Sequence, residues 1–353
     1  MPGSLRLTTF NDVDLADPFF DSLKAQYKEF PKWFEKKAKS SEPVYVVDDD
    51  ATGVLRGFVY LKREDEAIDD VIPPLPAAPR LKVGTLKVIA KGTKLGERII
   101  KRIFDRAIEE GVTEIYVTVF DTHQKLIDLF QRYGFEQTGV KETPNGTERV
   151  LVRSLGTLSG DIIKDYPYVH TKGRKFFLLA VKPEWHTGLF ADSILKTEDP
   201  EIVKDVSHSN TIHKVYVAGL SLTRMKLGDV VVMYRTTDIQ GRAKYRSVAT
   251  SICVVEESKS RKDFANAAAF VEYAEPHSVF SSEELEHQYN NANRLYVVKM
   301  TYNIALSRRI IRQRLMDVVG ISEQPRWDLR SLSEKQFKSI VKLGKVDEAL
   351  IVD

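Results

Sequence analysis

Residues 86–135 constrain the fold of this chain more than any other stretch. Leu86-Lys87-Val88-Ile89 reads as a strand, Lys91-Gly92-Thr93-Lys94-Leu95-Gly96 as a basic turn, and Glu97 to Glu110 as a helix. A strand that delivers the chain into a helix N-terminus leaves several backbone N–H groups unpaired beside a partial positive charge. That arrangement suits a pyrophosphate. Gly92 and Gly96 keep Cβ atoms out of an anion's way, and Lys91 and Lys94 add mobile positive charge. Glu114 to Phe120, dominated by β-branched and aromatic residues, reads as a second strand. Asp121 to Tyr133 then reads as an amphipathic helix with Leu126, Ile127, Leu129 and Phe130 as its apolar stripe, closed by Tyr133-Gly134-Phe135.

This order resembles the GNAT family of acyl-CoA N-acetyltransferases, whose turn reads (Q/R)-x-x-G-x-(G/A). Lys91 stands where the family has Arg or Gln, Lys94 replaces the middle glycine, and Gly96 keeps the last position. Arg132 to Glu136 resembles the family's Gly-Phe closure. The resemblance implies an α/β domain, a mixed sheet flanked by helices, with acetyl-CoA as donor. It places Leu86, Lys87, Val88, Lys91, Gly92, Thr93, Lys94, Leu95, Gly96, Glu97, His123 and Phe130 on the cofactor, the strand through its backbone edge.

In acyl transfer an amine attacks a thioester, so the protein must take a proton from the amine, steady an oxyanion and return a proton to the thiolate. Members of the family often use a tyrosine for the last step, four residues before the glycine of the closure. That position is Phe130, which cannot donate, and Tyr133 is the nearest alternative. The resemblance implies that His123, seven residues before Phe130, takes a slot where relatives often carry an Asn near the cofactor's pantetheine arm; an imidazole there can contact the cofactor or relay a proton near neutral pH. Glu64, at the end of the strand Leu55 to Lys62, is the expected general base, although Asp65 and Glu66 make it part of an acidic run. Arg98 is expected at the surface or in an ion pair.

The 353 residues suffice for two or three domains, and 42% apolar with 29% charged residues is the composition of a globular protein. No run of about 18 apolar residues occurs and no basic, then apolar, leader opens the sequence, so a cytoplasmic location is expected. The one cysteine, Cys253, reads as a small buried hydrophobe in an apolar strand. The histidines show no metal-ligand spacing, His208 and His213 included. A net charge of +3 is too small to argue for nucleic acid, so local clusters must carry that case.

Residues 1–155 read as one domain, with two helices meeting at Pro31 and a hairpin around residues 48–53. A glycine-containing linker is expected at 156–172, and a second domain at 173–353. Short apolar β runs at Lys175 to Lys182, Lys214 to Ala218, Asp229 to Arg235, Ser247 to Glu256 and Leu295 to Tyr302 suggest a small β-barrel with accessory helices. Val181 to His186, His213 to Tyr216, Gly228 to Arg235 and Thr250 to Val255 resemble the ASCH and EVE branch of PUA-like domains. The Gly-x-Lys…Glu-x-Arg signature of ASCH proteins is absent around Ser193 to Glu198.

The second resemblance implies RNA binding. Arg308, Arg309, Arg312 and Arg314, read at helical spacing, make a basic stripe, and Arg242, Lys244, Tyr245 and Arg246 a basic loop with an aromatic inside it. Lys259 to Lys262 is a third cluster, and Trp185, His186, Tyr234 and Trp327 are candidates to hold a base. The joint reading is an acetyl-CoA-dependent N-acetyltransferase whose acceptor amine belongs to RNA or to something RNA carries: an aminoacyl-tRNA, a modified base or a bound protein. It needs neither metal nor membrane; a toxin acting on charged tRNA is one version. The alternatives are an acyl-CoA sensor that has lost turnover and a small-molecule or protein acetyltransferase that uses the barrel as scaffold.

Overall fold

The computed structural model describes residues 2–49, 51–89, 94–190, 211–324 and 326–353. Lys91, Gly92 and Thr93, the segment 193–198 and His208 lie outside the described residues. The chain divides into two units, Met1–Lys164 and Asp165–Asp353. The segment 156–172 is therefore not all linker: from Asp165 onward it belongs to the second unit, where Tyr166 donates its hydroxyl to the Tyr302 carbonyl at 3.1 Å and Asn303 Nδ2 donates to the Pro167 carbonyl at 3.1 Å.

The first unit runs β1 (Pro2–Thr9), α1 (Asp21–Gln26), α2 (Phe30–Lys39), β2 (Pro43–Asp49), β3 (Leu55–Glu64), β4 (Arg80–Val88), α3 (Leu95–Glu109), β5 (Glu114–Phe120), α4 (Gln124–Arg132), β6 (Glu136–Thr143) and β7 (Gly146–Ser154). Its seven strands make one sheet in the order β1-β2-β3-β4-β5-β7-β6. Every neighbouring pair is antiparallel except β4 and β5. That parallel pair follows from its connection, a helical crossover through α3. Pro31 sits in the first turn of α2, where its missing N–H costs nothing. On one face Phe10, Phe20, Phe34 and Phe58 pack edge to face beneath α1 and α2. On α3 and α4, Ile99, Ile103, Phe104, Ile127 and Phe130 are buried on the helices' apolar stripes. Arg98 is buried rather than superficial, and its Nη2 donates to the Gly3 carbonyl at 2.8 Å.

The second unit runs β8 (Val169–His170), β9 (Phe176–Val181), α5 (Pro183–Leu189), β10 (His213–Ala218), β11 (Val230–Arg235), α6 (Ala243–Arg246), β12 (Val248–Ser260), α7 (Ala267–Ala274), α8 (Ser282–Asn291), β13 (Tyr296–Ile311), α9 (Arg312–Asp317), β14 (Leu329–Leu332), α10 (Glu334–Leu343) and β15 (Ile351–Val352). Six of its described strands form a sheet in the order β10-β13-β12-β11-β9-β14, with β10 and β14 as its edges; no closed barrel forms among the described strands. Phe177, Leu179, Val231, Met233, Cys253, Met300 and Tyr302 form the core around this sheet. Cys253 is fully buried, and burial pushes its thiol far up, out of reach of ionisation. The Gly228-Asp229 turn delivers the chain into β11, a central strand. Gly228 takes φ of +83°, and the Asp229 carboxylate accepts from the Lys226 N–H at 2.8 Å and the Lys175 N–H at 3.0 Å.

β13 is longer than its sequence suggests. It stays paired with β12 as far as Ile311, opposite Val248. Arg308 and Arg309 therefore lie on a strand and only Arg312 opens a helix, so the expected helical stripe does not form. No described helix is long and apolar enough to cross a membrane.

Candidate active site and candidate nucleic-acid interface

β4 and β5 share a parallel register only over Arg80–Val83 and Glu114–Val117. Beyond Val83 and Val117 the two strands part, leaving a gap inside the sheet. A β-bulge in β4 accompanies the parting: Leu61 pairs with Val83 but Tyr60 pairs with Thr85, so Gly84 is the extra residue. The bulge reverses which side chains of β4 face each side. After it, Lys87 points toward α1, where its ammonium donates to the Phe19 carbonyl and to Ser22 Oγ. Lys87 is thus bound to its own protein, and its contribution at the gap is backbone.

The gap opens into a cleft of about 440 Å³. Tyr27, Phe30, Trp33, Tyr60 and Phe120 supply an aromatic wall; Glu64, Lys82, His123, Lys141 and Glu148 bring charge and proton-transfer groups. Thr85, Leu86, Val117 and Thr118 line it at the parted strands.

The structure brings Glu64 and His123 to the same cleft. Glu64 Oε1 accepts from Lys62 Nζ at 2.8 Å, its Oε2 accepts from the Tyr116 hydroxyl, and Lys82 Nζ lies 3.8 Å away. Burial pushes the Glu64 carboxyl up, but the hydrogen bonds from Lys62 and Tyr116 and the charge of Lys82 prevail and hold it below the ordinary carboxylate range. Glu64 is therefore a fixed anion, better suited to orienting a cationic group than to keeping a proton. Lys82, over the Tyr116 ring at 5.3 Å, is itself pushed down by burial. His123 stands at the N-cap of α4 and shares a hydrogen bond with the Gln26 side chain, its Nε2 within 3.3 Å of the amide oxygen.

Phe130 and Tyr133 do not line the cleft. Both are fully buried, Phe130 against Phe135 at 4.8 Å between ring centroids. The apolar stripe of α4 turns them into the core, which removes Tyr133 as the proton donor to a leaving thiolate. Lys94 caps α3 at its N-terminus and Leu95 is buried beneath it. Gly96 serves packing rather than anion access, since a Cβ there would come 3.1 Å from Leu129 Cδ2 of α4. Glu97 lies in the first turn of α3.

Two residues of the cleft carry no local signal in the sequence. Tyr27 lies between α1 and α2, and Glu148 near the start of β7, and the Tyr27 hydroxyl donates to Glu148 Oε1 at 3.0 Å. Burial first, then the negative charge of Glu148, pushes the Tyr27 phenol far up, so it remains a donor. The one hint for Glu148 is its register: with Val150 and Val152 it shares the inward face of β7.

These features fit an acyl-CoA. The interior edge of β4 from Thr85 to Val88 can accept and donate to the amides of a pantetheine chain, and the N-terminus of α3, which follows the same strand, suits a pyrophosphate. The thioester supplies an activated acetyl group. Glu64 and Glu148 line the same cleft as the aromatic wall.

In the second unit, the two basic clusters read separately along the sequence meet. Pairing of Val248 with Ile311 and a hydrogen bond from the Arg312 N–H to the Ser247 carbonyl, 2.9 Å, set α6 beside α9. Arg242, Lys244, Tyr245 and Arg308 are exposed there, Tyr245 at 68%. Arg246 is committed to Asp238 through two bonds of 2.7 Å, which hold that carboxyl down to about 2. The Arg312 guanidinium lies 4.6 Å over the Trp327 ring, and Trp327 packs on Tyr234 at 5.1 Å. Trp327 is buried and Trp185 packs against Phe280. His186 is fully buried, with Nε2 2.7 Å from Thr250 Oγ1, so it is no base-stacking residue.

Fold and cleft together define an acyltransferase domain. Residues 8–135 match the family model of the acetyltransferase (GNAT) family, and the protein is an N-acetyltransferase that draws on acetyl-CoA. No curated protein sequence matches the chain. Among solved structures, the ASCH protein of Zymomonas mobilis is similar at 13% identity and a TM-score of 0.34, over 48% of this chain and 96% of that one. An acetyltransferase of Arabidopsis thaliana, solved with a CoA-containing bisubstrate analogue, is similar at 18% identity and a TM-score of 0.30, over 43% and 99% of the two chains. A GNAT-family acetyltransferase of Bordetella pertussis is similar at 15% identity and a TM-score of 0.30, over 43% and 96%.

Proposed function

We propose that the acceptor is an amine carried by RNA or by an RNA-bound molecule, and that the second unit, read as a PUA-like module, captures that RNA. The observation that carries this reading is the junction of α6, α9 and the end of β13. It brings Arg242, Lys244 and Arg312 together with an exposed tyrosine and an arginine–tryptophan stack, and Arg308 is exposed on the last part of β13. Phosphates bind to such cationic clusters, and bases stack on aromatic faces and guanidinium planes. Tethering a weak RNA site to the acetyltransferase raises the local concentration of the acceptor without any further contact.

The test is transfer of label from radiolabelled acetyl-CoA into total cellular RNA and protein, with Arg308→Ala/Arg312→Ala beside the wild type. Label in RNA or in RNA-bound protein, lost in the double variant at moderate salt, supports the reading. Label that the variant leaves unchanged, or that goes only to free small amines, overturns it.

A further inference from the structure

Every titratable group that shares the cleft with Glu148 has a partner of its own. Lys141, its cross-strand neighbour on β6, is held by Asp70. Glu29 accepts from Asn145 Nδ2 at 2.9 Å, and His123 is bound to Gln26. Lys82 and Lys62 flank Glu64. On its own strand, the adjacent Arg149 pairs with Asp121. Glu148 differs. Its side chain is 4% exposed, it accepts the Tyr27 hydroxyl, and among the described residues no lysine, arginine or histidine lies within ion-pair distance of it.

A carboxylate withdrawn from water without a cation is costly, and the cost falls when a cationic ligand arrives or when the group takes a proton. A protonated primary amine does both in sequence. We propose that Glu148 is a catalytic residue: it receives the acceptor as an ammonium and takes its proton. One proton passes from the ammonium nitrogen to the free Glu148 oxygen, while Tyr27 steadies the other. The neutral nitrogen then forms its bond to the carbonyl carbon of the thioester as the C–S bond breaks. The nitrogen's second proton leaves with the sulfur, giving amide and thiol, and Glu148 returns its proton to solvent. The aromatic wall of Tyr27, Phe30 and Trp33 beside it favours the same charged nitrogen by its π faces. This rests on the acetyl-transfer activity and not on where the amine comes from.

The experiment measures the total initial rate of acetyl transfer from radiolabelled acetyl-CoA into a whole-cell extract, between pH 6 and 10, for wild type, Glu148→Gln and Glu148→Asp, with melting temperatures and acetyl-CoA affinity measured alongside. At pH 7 the glutamine variant should lose roughly 100-fold in rate. Its rate should then climb about tenfold per pH unit as solvent deprotonates the amine, well past the pH where wild type levels off. Glu148→Asp should keep the wild-type pH profile at reduced rate, and acetyl-CoA affinity should not change. A glutamine variant within threefold of wild type with the same profile overturns the proposal. So does a loss that is equal at every pH, because a structural role alone predicts that. If the glutamine variant fails to fold, Glu148→Ala decides at pH 7: a rate raised by added formate supports the proposal, and a rate that formate leaves unchanged overturns it. The division of label among RNA, protein and small molecules does not enter this comparison, so the RNA reading can fail without it.

Discussion

Gly84 faces the ring of Tyr60 so closely that a Cβ placed on it would stand 2.9 Å from Tyr60 Cδ1. Tyr60 cannot simply withdraw: its hydroxyl donates to Glu42 at 3.1 Å and Lys37 lies over its ring at 4.9 Å. The bulge that parts β4 from β5 is therefore built around the absence of a side chain. Gly84→Ala should lose about 1–3 kcal/mol of stability through overpacking. It should also raise the acetyl-CoA KM, because straightening the bulge narrows the gap. Thermal unfolding and steady-state kinetics check both. An alanine variant with unchanged melting temperature and KM would show that the bulge tolerates a methyl group.

Glu64 ties acid stability to the cleft. Its carboxyl is held below its usual value of 4.5, so its contribution to stability is complete above that pH and is lost as the pH falls through its folded-state value. Glu64→Gln should flatten the acid side of the stability profile below about pH 4.5 relative to wild type. Melting temperatures from pH 3 to 7 read this directly, and identical profiles for the two proteins would contradict it.

His186 has the opposite chemistry and the same sign. Burial, then the nearby charges of Arg235 and Arg309, hold its imidazole down to about 3, against 6.5 when unfolded. Between those values the unfolded chain binds a proton that the folded chain refuses, so stability rises with pH in that window. His186→Asn should remove about one proton from the slope, which amounts to about 1.4 kcal/mol per pH unit. Urea denaturation at pH 4, 5 and 6 measures it.

Arg312 is held by stacking as well as by charge. Arg312→Lys keeps the cation but gives up the plane that lies on Trp327, and the two residues are not equivalent at such a site. RNA affinity should fall about tenfold in Arg312→Ala and by a smaller factor in Arg312→Lys. The alanine variant should also show a salt slope shallower by roughly 1. Filter binding at two or more salt concentrations separates the two effects. Equal affinities in wild type and both variants would place RNA elsewhere.

Much of the first unit was legible because its signals are local. The alternation of strands with amphipathic helices over 86–135 appears as β4, α3, β5 and α4. Glu64 and His123 reached the cleft because a strand end and a helix N-cap fix their positions within a few residues. Tyr133 misled because a phenol next to a glycine turn looks available, while the stripe shared with Ile127 and Phe130 turns it inward. Tyr27 and Glu148 could not be found in advance, since 121 residues separate them and only the packing of the sheet against α1 and α2 brings them to 3.0 Å. In the second unit, Leu306 to Ile311 suits a strand or a helix by composition. Pairing with β12 decides for the strand, and that moves Arg308 and Arg309 off the helix.

The parted strands also divide the first unit mechanically. β1 to β4 form one continuous ladder and β5, β7 and β6 another, and strand pairing joins the two over the short parallel register ending at Val83 and Val117, with the Ile72–Val140 bridge beside it. Local opening follows the line with the fewest backbone hydrogen bonds. Amides along that seam should exchange with solvent before those of β2 or β7. A ligand lying in the gap clasps both ladders at once, so filling the cleft also fastens the sheet.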